Sequence, residues 1–229
     1  MNTPNVIGVE GQPGRIGLPS QDEREAAYHE AGHAVFSQIL SRCNILGRAA
    51  IFERAGGNWG GFVGKNSSRR EFMTAKEAST ARGSRLPDIT ATMPLKWQRD
   101  AEQAWQLLLM AFAGPAAEQV LNNQSIGAWH VRYHYSASGD RGLAENLAGH
   151  FWPDEVFDEI VDRAAETAGA MCCLPDVWAA IQDVAKFLLD HGRHQSSIYE
   201  TSVIVRNRIP QPIHVPFQEQ VVSQRRKQP

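Results

Sequence analysis

Tyr28-His29-Glu30-Ala31-Gly32-His33-Ala34 is the stretch from which the fold of this sequence can be worked out. It has the pattern His-Glu-x-x-His. On an α-helix, residues four apart lie on one face, so His29 and His33 can bind one Zn²⁺ ion while Glu30 stands beside the metal. Neutral imidazole leaves the charge of the metal intact, so a bound water can lose its proton near neutral pH to a neighbouring carboxylate. The stretch therefore predicts a zinc site with Glu30 as general base.

The flanking sequence predicts that this motif lies on a helix over residues 21–41. Residues 20–23 read Ser-Gln-Asp-Glu and have the form of a capping box, with acidic residues in the first turn. Gly32 costs about 1 kcal/mol relative to alanine inside a helix, which indicates that another part of the chain approaches it closely. The apolar residues that would form the buried stripe are Ala27, Ala31, Ala34, Val35 and Ile39. An ordinary amphipathic helix is the alternative interpretation.

The composition limits the class of protein. The chain has 229 residues, 23 of them basic and 25 acidic, so it can bury a sizeable core and is not a general polyanion binder. Three cysteines are an odd number, and a disulfide between the adjacent Cys172 and Cys173 would be strained, which predicts a reducing, cytoplasmic setting. No secretory signal is expected, because the first twenty residues are polar and rich in glycine and proline. No membrane span is expected, because the most apolar stretch, residues 104–120, is short and contains Gly114-Pro115.

The polar and apolar segments predict three regions. Residues 1–19 are rich in glycine and proline and are expected to be a disordered leader, residues 20–204 the folded domain, and residues 205–229 an extended or disordered basic tail. Residues 65–95 are basic and polar, which indicates a long surface insertion within the domain. Contact between this insertion and nucleic acid is disfavoured, because Phe72 is its only aromatic residue.

The secondary structure is predicted to be mainly helical, with one small β-hairpin. Strands are expected over residues 45–53 and 59–63, joined by the turn signal Arg54-Ala55-Gly56-Gly57-Asn58. The edge of this hairpin either holds an extended peptide across the metal or is purely structural.

Four further helices are expected after the hairpin. One covers residues 98–121, with a kink or a break at Gly114-Pro115. A second covers residues 138–148, with Ser138 as its cap and with Leu143 and Leu147 facing inward. The other two begin near residues 152 and 174, where proline follows in the first turn.

The stretch from residue 126 to residue 138 is rich in aromatic residues and is expected to be irregular. It contains His130 and His134, again four residues apart. Because no acidic residue lies between them, histidines that line a groove or a surface strand are favoured over a second metal site.

Three segments resemble the peptidase domain of the FtsH-type membrane-tethered proteases. His29-Glu30-Ala31-Gly32-His33-Ala34 matches the zinc helix of that family, and Ser138-Gly139-Asp140 is similar to its Asn-Asp-Leu segment. Ala113-Gly114-Pro115-Ala116-Ala117-Glu118 looks like the family's core helix, with Pro115 in place of the usual arginine. The resemblance spans about residues 24–190 and implies a zincin-like helical metallopeptidase domain.

The resemblance also implies a third zinc ligand. The aspartate of the family's Asn-Asp-Leu segment is a ligand, and Asp140 stands in its position. Glu118 and Glu145 are the alternatives, and Glu118 is the better candidate for a buried partner that orients a histidine. A catalytic zinc ion usually takes three protein ligands and leaves its fourth position to water.

The expected function is that of a zinc metalloendopeptidase that cuts unfolded or exposed polypeptide segments. The sequence has no Gly-x-x-x-x-Gly-Lys-Ser/Thr phosphate loop, so an ATP-driven motor would come from a separate ATPase or adaptor partner. The alternative is a catalytically silent zinc-binding scaffold or regulatory interaction module. The sequence leaves the oligomeric state open.

Overall fold

The computed structural model describes residues 18–40, 46–54, 56–65, 95–152, 154–191, 196–213 and 215. This part of the chain is mainly helical with a small antiparallel hairpin, as the sequence predicts. Its helices are α1 (Gln21–Ile39), α2 (Leu95–Leu121), α3 (Ala128–Arg132), α4 (Ser138–Phe151), α5 (Asp154–Cys172), α6 (Pro175–His191) and α7 (Ile198–Arg208). Its strands are β1 (Leu46–Glu53), β2 (Trp59–Lys65) and β3 (Ser196–Ser197).

Helix α1 lies at the centre of the fold and packs against α2, α6, β1 and β2. It begins at the predicted cap, where Ser20 Oγ accepts a hydrogen bond of 3.2 Å from the backbone N–H of Glu23. The predicted helix is confirmed as far as Ile39, and Ser41 lies outside the described residues. The predicted apolar stripe is confirmed as well, because all five of its residues are at most 1 % exposed.

Gly32 is the point of closest approach between α1 and α2. A Cβ atom at Gly32 would lie 2.4 Å from the carbonyl oxygen of Ala113 and 3.1 Å from the Cβ of Ala117. The first of these atoms belongs to the backbone of α2, which cannot rotate away as a side chain can. The close approach expected at this glycine is therefore confirmed, and the missing side chain sets the distance between the two helices.

The hairpin forms where it is predicted. The backbone N–H of Gly57 donates to the Arg54 carbonyl (3.1 Å), and the N–H of Arg54 donates to the Asn58 carbonyl (2.6 Å). Gly56 and Gly57 have φ values of 98° and 85°, in the region that favours glycine. The short strand β3 was not expected; it pairs with β1, so the sheet order is β2-β1-β3 and β2 is an edge strand.

Helix α2 is not divided at Gly114-Pro115, where a kink or a break is predicted. Pro115 has no N–H to donate to the carbonyl of Ala111, so one bond of the helix is lost there. Buried residues on both sides, including Phe112 and Ala116, pack against neighbouring helices and hold the two halves in one element. Tertiary packing therefore outweighs the local effect of the proline.

The region before Asp140 is more regular than expected. It contains α3 and a 3-10 helix, Tyr135–Ala137, which continues directly into α4. Ser138 is therefore the first helical residue and not the cap, and Ala137 takes the cap position without a side-chain hydrogen bond. Leu143 is 50 % exposed, so its predicted burial is wrong: the side of α4 that packs inward carries Ala144 and Ala148.

The C-terminal part of the described chain returns to the central helix. Helix α7 continues to Arg208, past residue 205, where the tail is predicted to begin. Further on, the N–H of Ile213 donates to the carbonyl of Ile39 (2.6 Å). Residues 1–17, 66–94 and 216–229, and with them most of the predicted leader, insertion and tail, lie outside the described residues. Among the described helices, each is too short or too polar to cross a lipid bilayer.

Replacement of Gly32 with alanine should destabilise the protein by about 1–3 kcal/mol, because the new methyl group would push α1 away from the backbone of α2. Gly142→Ala is the matched control, since a Cβ at Gly142 within α4 meets no atom within 4 Å. This control should be neutral or stabilising by up to about 1 kcal/mol. Chemical denaturation of both variants measures the difference, and equal stability for the two would contradict the close contact at Gly32.

Candidate metal centre

Side chains from two distant parts of the sequence, helices α1 and α4, meet at one point. Nε2 of His29 lies 3.1 Å from Nε2 of His33 and 3.1 Å from Oδ2 of Asp140, and the distance from His33 Nε2 to the same oxygen is 3.4 Å. In a tetrahedral centre with ligand distances of about 2.0–2.1 Å, neighbouring ligand atoms are about 3.3 Å apart. The three atoms therefore have the spacing of three corners of a tetrahedron, and the group is close enough to bind a metal ion.

The outer nitrogen of each ring is held by a hydrogen-bond acceptor. Nδ1 of His29 lies 2.5 Å from Oε1 of Glu118, and Nδ1 of His33 lies 2.7 Å from the carbonyl oxygen of Met110. A carboxylate and a carbonyl only accept, so Nδ1 of each ring carries the hydrogen. In the neutral ring, the lone pair then lies on Nε2 and points at the shared centre.

Gly114 leaves room for the two imidazoles. A Cβ atom at this position would lie 2.5 Å from His33 Nε2 and 2.9 Å from His29 Nε2. Any side chain there would enter the space between the nitrogens. Helix α2 thus supplies three features of the centre: the carboxylate of Glu118, the carbonyl of Met110 and the gap at Gly114.

Glu30 lies on α1, between the two histidines in sequence, and is 6 % exposed. A Cβ atom at Gly61 of β2 would lie 2.3 Å from Glu30 Cγ, so the glutamate occupies space that a side chain on the strand would fill. No role for Gly61 is predicted from the sequence. The pair Gly60-Gly61 lies inside a predicted strand, and glycine in a strand often indicates that another group approaches the backbone closely.

The charges of the centre shift its pKa values in opposite directions. Burial lowers the pKa of His29, but the carboxylates of Asp140 and Glu118 outweigh burial and raise it to about 10. Burial would raise the pKa of Asp140, yet the neighbouring imidazoles hold it well below its usual value. Burial raises the pKa of Glu30, against the effect of the two histidines. Burial would lower the pKa of His33 as well, but Asp140 outweighs burial and raises that pKa.

The three-residue group opens into a groove of about 650 Å³. One wall is the edge strand β2, including Trp59, Gly61 and Val63. The lining also includes Tyr135, whose hydroxyl group donates to Glu25 Oε2 (2.7 Å). The groove is partly open to solvent, so a ligand can reach the three-residue group from outside.

The other predicted candidates lie outside the three-residue group. Glu145, the alternative third ligand, lies 3.0 Å from the guanidinium of the buried Arg132. His130 is exposed and offers its backbone carbonyl to Gln119. His134 Nδ1 lies 3.6 Å from Glu118 Oε2, so His134 is next to the hydrogen-bond partner of His29 and not to the three ligand atoms. Within the described ranges, His29, His33 and Asp140 are the only group with metal-ligand spacing.

No protein-family model matches this chain, and no curated protein matches it. The resemblance to FtsH-type peptidases therefore stays a prediction from three short segments, and the geometry of the centre is the independent observation.

Glu118→Gln should weaken metal binding by about 10- to 100-fold, because the neutral amide holds the His29 ring less firmly and makes it a poorer ligand. Competition with a chelator of known affinity measures this loss. Glu145→Gln is the matched control and should leave the affinity unchanged, since Glu145 pairs with Arg132. A similar loss in both variants would mean that Glu118 has no specific role in the centre.

Metal affinity should rise with pH throughout the neutral range. The pKa of His29 in the metal-free protein is about 10, so a metal ion that binds below this pH must displace a proton from Nε2. For each displaced proton, the logarithm of the apparent affinity increases by about one per pH unit. Chelator competition from about pH 6.5 to 8.5 tests this linkage. An affinity independent of pH would contradict the protonated state of His29.

Proposed function

We propose that this protein is a zinc-dependent metalloendopeptidase with a zincin-like domain, and that it hydrolyses peptide bonds in unfolded or exposed polypeptide segments. The observation that carries the proposal is the buried carboxylate of Glu30 beside the group formed by His29, His33 and Asp140 in an open groove. A structural metal site would be closed by a fourth protein ligand and would not need a free carboxylate next to it.

Zinc is the ion that this donor set suits best. Two imidazoles and one carboxylate at tetrahedral spacing leave one position open, which is the pattern of catalytic zinc. When bound, zinc supplies a Lewis acid that polarises the peptide carbonyl and lowers the pKa of water. Glu118 and the Met110 carbonyl keep both rings in the tautomer that the ion requires.

Glu30 is proposed as the general base. Its carboxylate accepts the proton of the attacking water and afterwards delivers it to the nitrogen of the leaving amine. Burial raises its pKa, which brings it closer to neutral pH and makes both transfers easier. Gly61 keeps the space that the carboxylate needs next to the substrate groove.

A polypeptide substrate is supported by the strand that lines the groove. Strand β2 is at the edge of the sheet, and its residues Trp59, Gly61 and Val63 line the groove. An extended peptide can add to such an edge through main-chain hydrogen bonds, which recognise backbone and not a particular side chain. A folded domain offers no free extended segment, so the proposed substrates are unfolded or exposed.

Glu30→Gln should retain zinc but cut an unfolded, fluorescently labelled test protein at least about 100-fold more slowly, because the amide cannot take a proton. Zinc content by elemental analysis and the rate of fluorescence release measure the two effects. Glu145→Gln serves as the control that keeps both properties. If Glu30→Gln cuts as fast as the parent, the base assignment is wrong. If the parent binds zinc but cuts nothing, the alternative of a silent zinc-binding scaffold replaces the proposal.

A further inference from the structure

The outer edge of β2, away from β1, presents backbone groups from alternate residues. Arg54 and Asn58 form a hydrogen-bonded pair at the end of the hairpin, and Glu53 is next opposite Trp59. In an antiparallel ladder, hydrogen-bonded and non-hydrogen-bonded pairs alternate. The residues of β2 whose N–H and C=O groups point away from β1 are therefore Trp59, Gly61 and Val63, and all three line the groove.

One of these groups already has a partner. The N–H of Trp59 donates to Oδ2 of Asp22, in the first turn of α1. This contact places a carboxylate across the end of the edge, where the backbone of an added strand would otherwise run. Among the described residues, no strand pairs with the outer edge of β2 at Gly61 or Val63.

The positions of Gly61 and Val63 are not symmetrical about the metal centre. Gly61 is in contact with Glu30, as the position of its missing Cβ shows. A peptide residue opposite Gly61 would therefore lie beside Glu30, the proposed base. The peptide residues that follow in one direction would pair with Val63. In the other direction, the peptide residues would meet Asp22, which already accepts the hydrogen bond from the Trp59 N–H.

We propose that Asp22 closes the edge of β2 at Trp59, so that a substrate pairs with Gly61 and Val63 only and is gripped on one side of its scissile bond. This inference rests on the proposed function and names the register of the substrate. Asp22 acts here as a positioning residue, since it works through the N–H of Trp59 and does not touch the reacting atoms.

The test uses the full chain loaded with zinc and quenched fluorescent peptides with one central cleavage site. The peptides are lengthened by two residues at one end or at the other. For the parent protein, lengthening at one end should raise kcat/KM by about 2- to 10-fold, the effect of one added backbone hydrogen bond, and lengthening at the other end should leave it unchanged. Asp22→Ala should gain at both ends. Asp22→Asn, which keeps an acceptor oxygen, should behave like the parent.

A second readout does not depend on activity. The protein for this measurement is the zinc-loaded Glu30→Gln variant. Its Trp59 backbone amide should exchange slowly with deuterium, whether or not peptide is present. After the further change Asp22→Ala, this amide should exchange fast alone and slowly with peptide bound.

The outcomes separate this inference from the proposed function. A parent enzyme that gains equally at both ends, or an Asp22→Ala variant with the one-sided profile, would overturn the role of Asp22 and leave the peptidase proposal intact. If Asp22→Asn behaves like Asp22→Ala, charge and not the hydrogen bond is responsible, and the inference is wrong. A parent that cuts none of the peptides overturns both.

Discussion

The close contact between α1 and α2 at Gly32 is the constraint on which the rest of the structure depends. The two histidines are on α1, whereas their hydrogen-bond partners, Glu118 and the Met110 carbonyl, are on α2. Hydrogen bonds of this kind tolerate changes of only a few tenths of an ångström. The distance between the helices therefore decides whether the rings point at a common centre. Gly32 on α1 allows this short distance, and Gly114 on α2 leaves room for the two rings.

The centre also depends on two carboxylates that have opposite properties although they are close together. Asp140 faces both imidazoles, and its pKa is held low, so it stays ionised. Glu30 is buried against the strand, and its pKa is raised. When the environment pushes the pKa values of two neighbouring carboxyl groups apart, one group stays charged while the other can exchange a proton. In this fold, the difference arises from burial against Gly61 on one side and from the paired rings on the other.

The sequence was informative where the signal is local. The cap at Ser20, the apolar stripe of α1 and the glycine turn of the hairpin each follow from residues within a few positions of one another, and each is confirmed. Local reasoning failed where two elements merge. The 3-10 helix that runs into α4 removed the cap expected at Ser138. Of the kink or break predicted at Pro115, the break is wrong, because α2 is continuous there.

The centre itself could be predicted only in part. His29 and His33 share a helix face, so their proximity follows from spacing alone. The approach of Asp140 is a tertiary contact, and no periodicity in the sequence indicates it; only the family resemblance pointed to this residue. The contacts of Asp22 with Trp59 and of Glu30 with Gly61 join α1 to the strand in the same way. Neither had a sequence signal beyond the glycines of β2.

Asp140 reaches the histidines from the first turn of α4, on a part of the chain far from α1 in sequence. An ion shared by these three residues would act as a removable cross-link between the beginning and the middle of the chain. Such a cross-link stabilises the folded state by mass action, since the unfolded chain cannot bring the three groups together. Folding and metal loading would then be coupled, and the supply of the ion would regulate how long the protein survives in its folded form.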